Sequence, residues 1–435
     1  LATQAASAAT VPGGFRANPW VQLIAGIVCM AAIANYQYGW TYFVPVMQDA
    51  NGWSNANIQW AFQFFVTLEV WLVPIEGPLV DRFGPMIFVL VGGIIAGLGW
   101  LIDAHASVVQ VLWLGSAISG IGAGMVYGTC IGNAVKWFGP RRGLAAGLTS
   151  MGFGAGAAFQ VQPILNMISA HGYQYTFQFF AIAQAIVVVI ASLFLMMPPK
   201  TLAAAPKATR VLQGTRDYTP KEVLVSPVFW VMFAMFVLVA TGGLTAVAQL
   251  APMAKDFFVD QFPVTLIFFG TAGALAQSGR INNVMNGISR PILGAISDRI
   301  GRENTMFFAF LLEGIGIFAL LKFGTTPIAF VLLSGLVFFA WGEIYSIFPA
   351  TARDHFGQRY ATTNYGLLYQ AKWVASFGVP LSGYVIAATH SWTTVLIIAG
   401  AMNIVAAVMS VAILKPLRIW DVRRNQPISS GAAAS

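Results

Sequence analysis

"GPLVDRFGP" at residues 77–85 and "GAISDRIGR" at 294–302 share one pattern, G-x-x-x-D-R-[FI]-G, with every element at the same offset. Each copy follows an apolar stretch of membrane-spanning length, and the two lie about half a chain apart. One short loop is a weak signal, but two at matched positions point to a duplicated unit with parallel repeats. In each loop an acid stands beside a base, Asp81 with Arg82 and Asp298 with Arg299. Such groups tie neighbouring helix ends together and hold one conformation until a movement breaks the links, so these four are expected to act in gating.

Working outward, windows of about 20 apolar residues place twelve spans. They fall near 20–42, 57–80, 86–103, 108–132, 143–166, 174–197, 227–252, 264–297, 304–322, 327–350, 364–388 and 391–414. The eighth is too long for one helix, so its first half belongs to the preceding hairpin or lies at the membrane interface. Only 9% of the 435 residues are charged and mean hydropathy is +0.73, against about 25% charged in soluble domains. The expected fold is an all-α membrane protein: twelve transmembrane helices in two pseudo-symmetric six-helix bundles, 20–197 and 227–414. A mobile N-terminal tail (1–19), a basic, proline-bearing cytoplasmic linker (198–226) and a cytoplasmic C-terminal tail (415–435) complete it.

With the N-terminus in the cytoplasm, 18 of the 23 lysines and arginines fall on that side and two on the other; Arg280, Arg290 and Lys372 lie within or beside spans. That asymmetry follows the positive-inside rule. It places both termini inside a multi-pass protein of the inner (cytoplasmic) membrane. The net charge of +8 is therefore topological, and nucleic acid is not an expected partner. The first 14 residues lack the apolar core of a signal peptide. Cys29, Cys130 and four scattered histidines form no disulfide framework or metal site. No cofactor is expected, no nucleophile–base pair argues for an enzyme, and a monomer in the bilayer is expected.

The polar residues inside the spans carry the question of cargo. Arg290 lies eight residues before Asp298, and Lys372 eight residues after Asn364. Each is therefore roughly 12 Å in from the cytoplasmic face, on helices running in opposite directions. A cation at such depth costs from roughly 3 to more than 10 kcal/mol. Either each is paired with a resident carboxylate (Glu69, Glu76, Glu313 and Glu343 are available) or snorkels to the interface, or both face a cavity in which the cargo is their counter-ion. Arginine matches a carboxylate with a bidentate fork and lysine adds a point charge, so a small dicarboxylate would satisfy both. Trp341 and Tyr345, at i and i+4, share a helix face. With Tyr38, Tyr127 and Tyr369 they could wall a small cavity and strengthen its charges by excluding water. These rings favour the cavity reading. A tie between either cation and a glutamate would remove its basis.

The loop motif in both halves, the basic linker and the twelve spans resemble the major facilitator superfamily, which implies alternating access about a midplane site. Five segments in register, "NYQYGW" (35–40), "GMVYG" (124–128), "NGISRPILG" (286–294), "WGEIYSIFPA" (341–350) and "NYGLLYQAKWVAS" (364–376), look like the oxalate/formate antiporters within it. The resemblance implies site cations at Arg290 and Lys372, an aromatic cage of Tyr38, Tyr127, Trp341 and Tyr345, a site glutamine at Gln37 and an extracellular gate at Gln59. It departs from the family's best-known member at Tyr369, where that member has tryptophan, at Phe153, where it has tyrosine, and at Glu343, where it has glycine. Glu343, two residues from both Trp341 and Tyr345, points roughly 200° away from them. With Glu69 it is a candidate proton site. Arg280 has no counterpart role.

The implied function is exchange of oxalate for formate by alternating access; the alternative is a proton-coupled symporter of monocarboxylates such as lactate, pyruvate or formate. Oxalate carries two charges and formate one, so unassisted exchange moves net charge. Gly120, Gly124, Gly128 and Gly132 recur every four residues as a bare ridge for close packing, answered by Gly143, Gly147, Gly152, Gly154 and Gly156 in the next span. If the cage acts by shape, Tyr369→Trp retains oxalate exchange in proteoliposomes; loss of exchange would show that the Tyr369 hydroxyl is required.

Overall fold

The computed structural model describes residues 14–138, 142–198, 212, 214 and 216–425. The side chains of Glu76, Gly77, Pro78, Asp81, Arg142, Gly143 and Thr362 also lie outside the described set, so the expectations for Asp81, Gly143 and most of the N-terminal tail and linker are not addressed by it. The chain is a bundle of long helices. Among the described residues nine stretches are long and apolar enough to cross a membrane, and the twelve expected spans do not map onto them one to one. One stretch of 49 residues, Leu144–Ser192, covers the fifth and sixth expected spans, with two helices meeting at Gly172, whose φ of 83° breaks the helix. The eighth and eleventh expected spans are absent from the nine, and they are the two that carry Arg290 and Lys372. The eighth, Ala274–Ile300, is rich in Ser, Asn and Arg. The eleventh is interrupted into Ala361–Tyr369, Ala371–Ser376 and Gly378–Thr389. Polar groups and helix breaks lower the apolar signal because these helices line a protein interior, the one setting in which a membrane tolerates them.

The long eighth span resolves differently from an all-helical reading. Pro263–Leu266 and Gly270–Gly273 pair as an antiparallel two-stranded hairpin before the helix begins. At the other end of the chain, Lys415–Arg424 is helical and continues the last span through a π turn at Ser410–Leu414; Arg418 is buried there, paired with Glu303. The linker likewise holds a short helix, Pro220–Leu224, started by a capping box between Thr219 and Glu222.

The repeated loop works through a residue that the motif did not single out. Arg302 pairs with Asp298 at 2.7 Å and with Asp354 at 3.0 Å, and donates to Ser297. Arg299 and Arg82 are exposed, Arg82 lying over the Phe83 ring. In the second copy the expected role of Arg299 as a loop tie is corrected: the buried cation is Arg302, which opens the next helix just beyond Gly301. The signal for it was the final arginine of "GAISDRIGR".

Glycine decides how closely the helices approach. A side chain at Gly124 would come within 2.6 Å of the Glu69 carbonyl oxygen, and one at Gly120 would collide with the Phe65 carbonyl. These two glycines bring the Asn55–Trp71 helix against Val109–Trp137. Gly132 faces open space and is not part of that contact. Gly152 and Gly156 accommodate Ile27 and Ala31 of the first helix, whereas Gly154 lies against Asn286 and Gly287, so it serves the seam between the halves. Gly124→Leu is expected to cost about 1–3 kcal/mol of stability by overpacking, read as a lowered unfolding temperature in detergent. Gly132→Ala, with room for the methyl group, should leave it unchanged.

Candidate functional site

The seam between the halves gathers the predicted residues in one place. Gln37 and Tyr38 end the helix Pro19–Tyr38; Trp341 ends Pro327–Trp341, just before the break that starts Ile344–Phe356; Lys372 occupies the short central piece of the interrupted eleventh helix. Helix ends and breaks at the centre of a bundle leave backbone and side-chain groups free to turn toward a ligand, the usual construction of transporter sites.

Six aromatic rings form an unbroken chain through this seam. Trp341 meets Tyr345 edge-on at 5.4 Å, Tyr345 meets Tyr369 at 6.3 Å, and Tyr369 stacks on Tyr127 at 6.1 Å. Tyr127 then meets Phe153 at 5.1 Å, and Phe153 meets Tyr38 at 5.4 Å. All six are buried. Trp341 reaches its place because Gly243 has no side chain to collide with its indole. The cage is therefore built from both halves, as its predicted members required.

Both cations reach across the seam from the C-terminal half. Arg290, 1% exposed, donates to the Ser150 carbonyl at 2.7 Å and to Asn286 Oδ1 at 2.8 Å. The Tyr38 hydroxyl lies at 3.5 Å, the outer limit of a hydrogen bond. Its guanidinium lies 4.7 Å from the centre of the Tyr345 ring, a cation–π distance, and its Nε has no hydrogen-bond partner among the described residues. No carboxylate among the described residues pairs with it. Asn286, one turn before Arg290 in "NGISR", escaped the sequence reading; an i, i+4 amide on a polar helix face was its signal.

Lys372 is different. Its ammonium donates to Glu69 Oε2 at 2.7 Å, to Gln37 Oε1 at 2.9 Å and to the Tyr369 hydroxyl at 3.4 Å. The Glu69–Lys372 ion pair is buried, each side chain 1% exposed, and joins the two halves. This corrects the expectation of two cations neutralised only by cargo: Lys372 has a resident counter-ion, and the formal charge of Arg290, Lys372 and Glu69 together is one positive unit rather than two. The physical reason is the cost of an unpaired buried ammonium, several kcal/mol, which Glu69 offsets. Glu343, the other candidate proton site, is fully buried at the helix break; neither its oxygens nor those of Glu313 has a hydrogen-bond partner among the described residues.

On the side away from the chain termini several neutral hydrogen bonds join the halves. Gln59 donates to the Ala248 carbonyl at 2.9 Å and to Gln249 Oε1 at 3.2 Å while accepting from Trp40. Asn55 and Gln249 exchange two hydrogen bonds at 3.0 and 2.9 Å. Arg280, without a role in the sequence reading, reaches Gln162 of the other half at 3.0 Å. Toward the other face, Gln370 donates to the Val70 carbonyl at 3.1 Å, and the Trp71 and Trp373 rings meet edge-on at 5.4 Å.

Two helical halves meet around a buried seam that holds an aromatic cage, Arg290 and the Glu69–Lys372 pair. A family model of the Major Facilitator Superfamily matches residues 23–376 and again 281–433, and the chain belongs to that superfamily. It is 30% identical to the oxalate:formate antiporter of Oxalobacter formigenes over 92% of this chain and 93% of that protein, and it falls in that antiporter's family. It is also 26% identical to the uncharacterized transporter YhjX of Escherichia coli, over 82% of this chain and 86% of that protein. Monocarboxylate transporter 13 of Bos taurus is 24% identical over 80% and 78%. Like its relatives, the chain is a transport protein and not an enzyme.

If Arg290 binds a carboxylate, Arg290→Lys, which keeps the charge but loses the planar fork and much of the Tyr345 stacking, should lower that affinity about tenfold or more, and Arg290→Ala should abolish it. Competition for labelled oxalate in detergent measures both. Unaltered affinity in Arg290→Ala would remove the arginine from the site.

Proposed function

We propose that the protein exchanges small carboxylates, oxalate for formate, by alternating access at the Arg290–Lys372 site. The Glu69–Lys372 pair removes the two-cation argument; the observation that carries this reading instead is Arg290: a guanidinium buried at the seam, caged by aromatic rings, held only by neutral acceptors and lacking a resident carboxylate among the described residues. A carboxylate is the ligand whose two oxygens match its fork. Lys372, 5.9 Å from the centre of the same Tyr345 ring, and Gln37 beside it offer a second set of donors. The cage excludes water, which strengthens these interactions. The family resemblance supports the substrate class.

Alternation would break the bonds of Gln59, Asn55 and Gln249 in one direction and those of Gln370 and the tryptophan pair in the other, with the site between them. Closure around a net positive charge is costly, so a bound anion favours passage between the two states, and exchange outpaces return of the unloaded carrier. We further infer a multi-pass protein of the cytoplasmic membrane with both termini inside.

The test is exchange in proteoliposomes loaded with labelled oxalate. Formate outside should accelerate efflux at least tenfold over buffer alone. Efflux equally fast without an external anion would overturn obligatory exchange, and pH-driven lactate or formate uptake without counter-substrate would establish the symport alternative.

A further inference from the structure

Glu69 is a carboxylate placed where a carboxylate cargo would bind. Its Oε2 holds Lys372 at 2.7 Å, while its Oε1 is buried without a hydrogen-bond partner among the described residues. Its position is tightly set, because the backbone at Glu69 rests against Gly124. The remaining neighbours of the Lys372 ammonium, Gln37 and Tyr369, are neutral. A cargo anion approaching Lys372 therefore competes with a resident anion already there.

Among the described residues, the charged and titratable groups around Glu69 are Lys372 and Tyr369 from the eleventh helix, Tyr38 from the first, Tyr127 from the fourth and Tyr345 from the tenth, with Arg290 of the eighth acting on Lys372. With the tyrosines neutral, the site sums to one positive charge when Glu69 is ionised and to two when it is protonated. A monoanion such as formate balances the first state and a dianion such as oxalate the second. A dianion bound beside an ionised Glu69 would leave an excess negative charge in a site sealed by aromatic rings, where water cannot screen it.

We propose that Glu69 sets the charge class of the cargo: ionised it matches monocarboxylates, protonated it matches dicarboxylates, and each dicarboxylate carried brings one proton with it. The inference rests on the carboxylate reading of the site. When oxalate enters, it takes over the Lys372 ammonium, and Glu69 accepts one proton from the solution on the same side. When oxalate leaves on the other side, Glu69 releases that proton there and recovers Lys372. Oxalate with its proton carries one net negative charge, as formate does. Exchange is then electroneutral and moves one proton with every oxalate, whereas unassisted exchange of a dianion for a monoanion transfers charge.

Proteoliposomes containing an internal pH dye and a potassium diffusion potential set with valinomycin test this. In the wild type, oxalate–formate exchange should move one proton per oxalate and change less than twofold with the potential. The apparent oxalate Kd should rise with pH, its steepest slope about tenfold per pH unit, that of one coupled proton. Glu69→Gln, fixed in the neutral form, should bind oxalate with a flat pH profile, lose proton movement and make exchange potential-driven; it should also weaken formate relative to oxalate. Wild-type exchange that follows the potential and moves no proton overturns the inference while leaving the substrate reading intact. Absence of oxalate–formate exchange in the wild type at any pH overturns the substrate reading and the inference together. Both wild-type measurements stand even if the Glu69→Gln protein does not fold.

Discussion

Glu69 and Lys372 belong to opposite halves of the protein, meet at 2.7 Å and are both shielded from solvent. Truncating one member of such a buried pair commonly costs about 3–5 kcal/mol because the other charge is left without a partner. The pair thus contributes to joining the halves, and the joint can open only if another charge takes the place of one member. A proton can replace the lysine's charge on the glutamate, and an anion can replace the glutamate's charge on the lysine. Arg290 supplies the complementary half of the arrangement: a fixed cation held by neutral groups, 4.7 Å from the ring of Tyr345.

Local features of the chain put these groups together. Gly120 and Gly124 let the helix bearing Glu69 pack close to its neighbour, and Gly243 admits the Trp341 indole. Interruptions at Gln370 and Phe377 set Lys372 on a piece of helix only six residues long. Gly154 and Gly287 allow backbone of the two halves to come close beside Arg290. Small residues where backbones must approach, and helix breaks where side chains must turn inward, are the same solution applied at several points.

The closure on the side away from the termini is made of amide and hydroxyl hydrogen bonds, with Gln249 contacting Asn55, Gln59 and Ser382. Neutral hydrogen bonds contribute about 1 kcal/mol each after exchange with water. A handful of them holds a closed state that remains easy to reopen. A gate of buried ion pairs at the same place would be slower to exchange with water, because each opening would have to separate and rehydrate charges. An exposed ion pair also crosses this side, Lys255 with Asp49 at 2.8 Å, and is of the weak, solvent-screened kind.

The scaffold was legible in the sequence because its signals are local: apolar length, positive charge on one side, and a loop motif repeated half a chain apart. The cage was legible too, since Tyr38, Tyr127, Phe153, Trp341, Tyr345 and Tyr369 stood in segments resembling a known family, and the structure joins all six. The eighth and eleventh helices were placed by sequence even though their polar groups and breaks dilute the hydropathy signal. What a linear chain cannot express is which charges meet. Glu69 and Lys372 are 303 positions apart, and nothing in spacing or periodicity distinguishes Glu69 from Glu76, Glu313 or Glu343 as the lysine's partner. Ion pairing between helices depends on rotation and depth within the packed bundle, and these were set by a glycine on the helix packed against Glu69 and by the helix breaks on either side of Lys372. Sequence alone determined that two cations lie deep in the membrane; only the tertiary structure decided that one of them already has its anion.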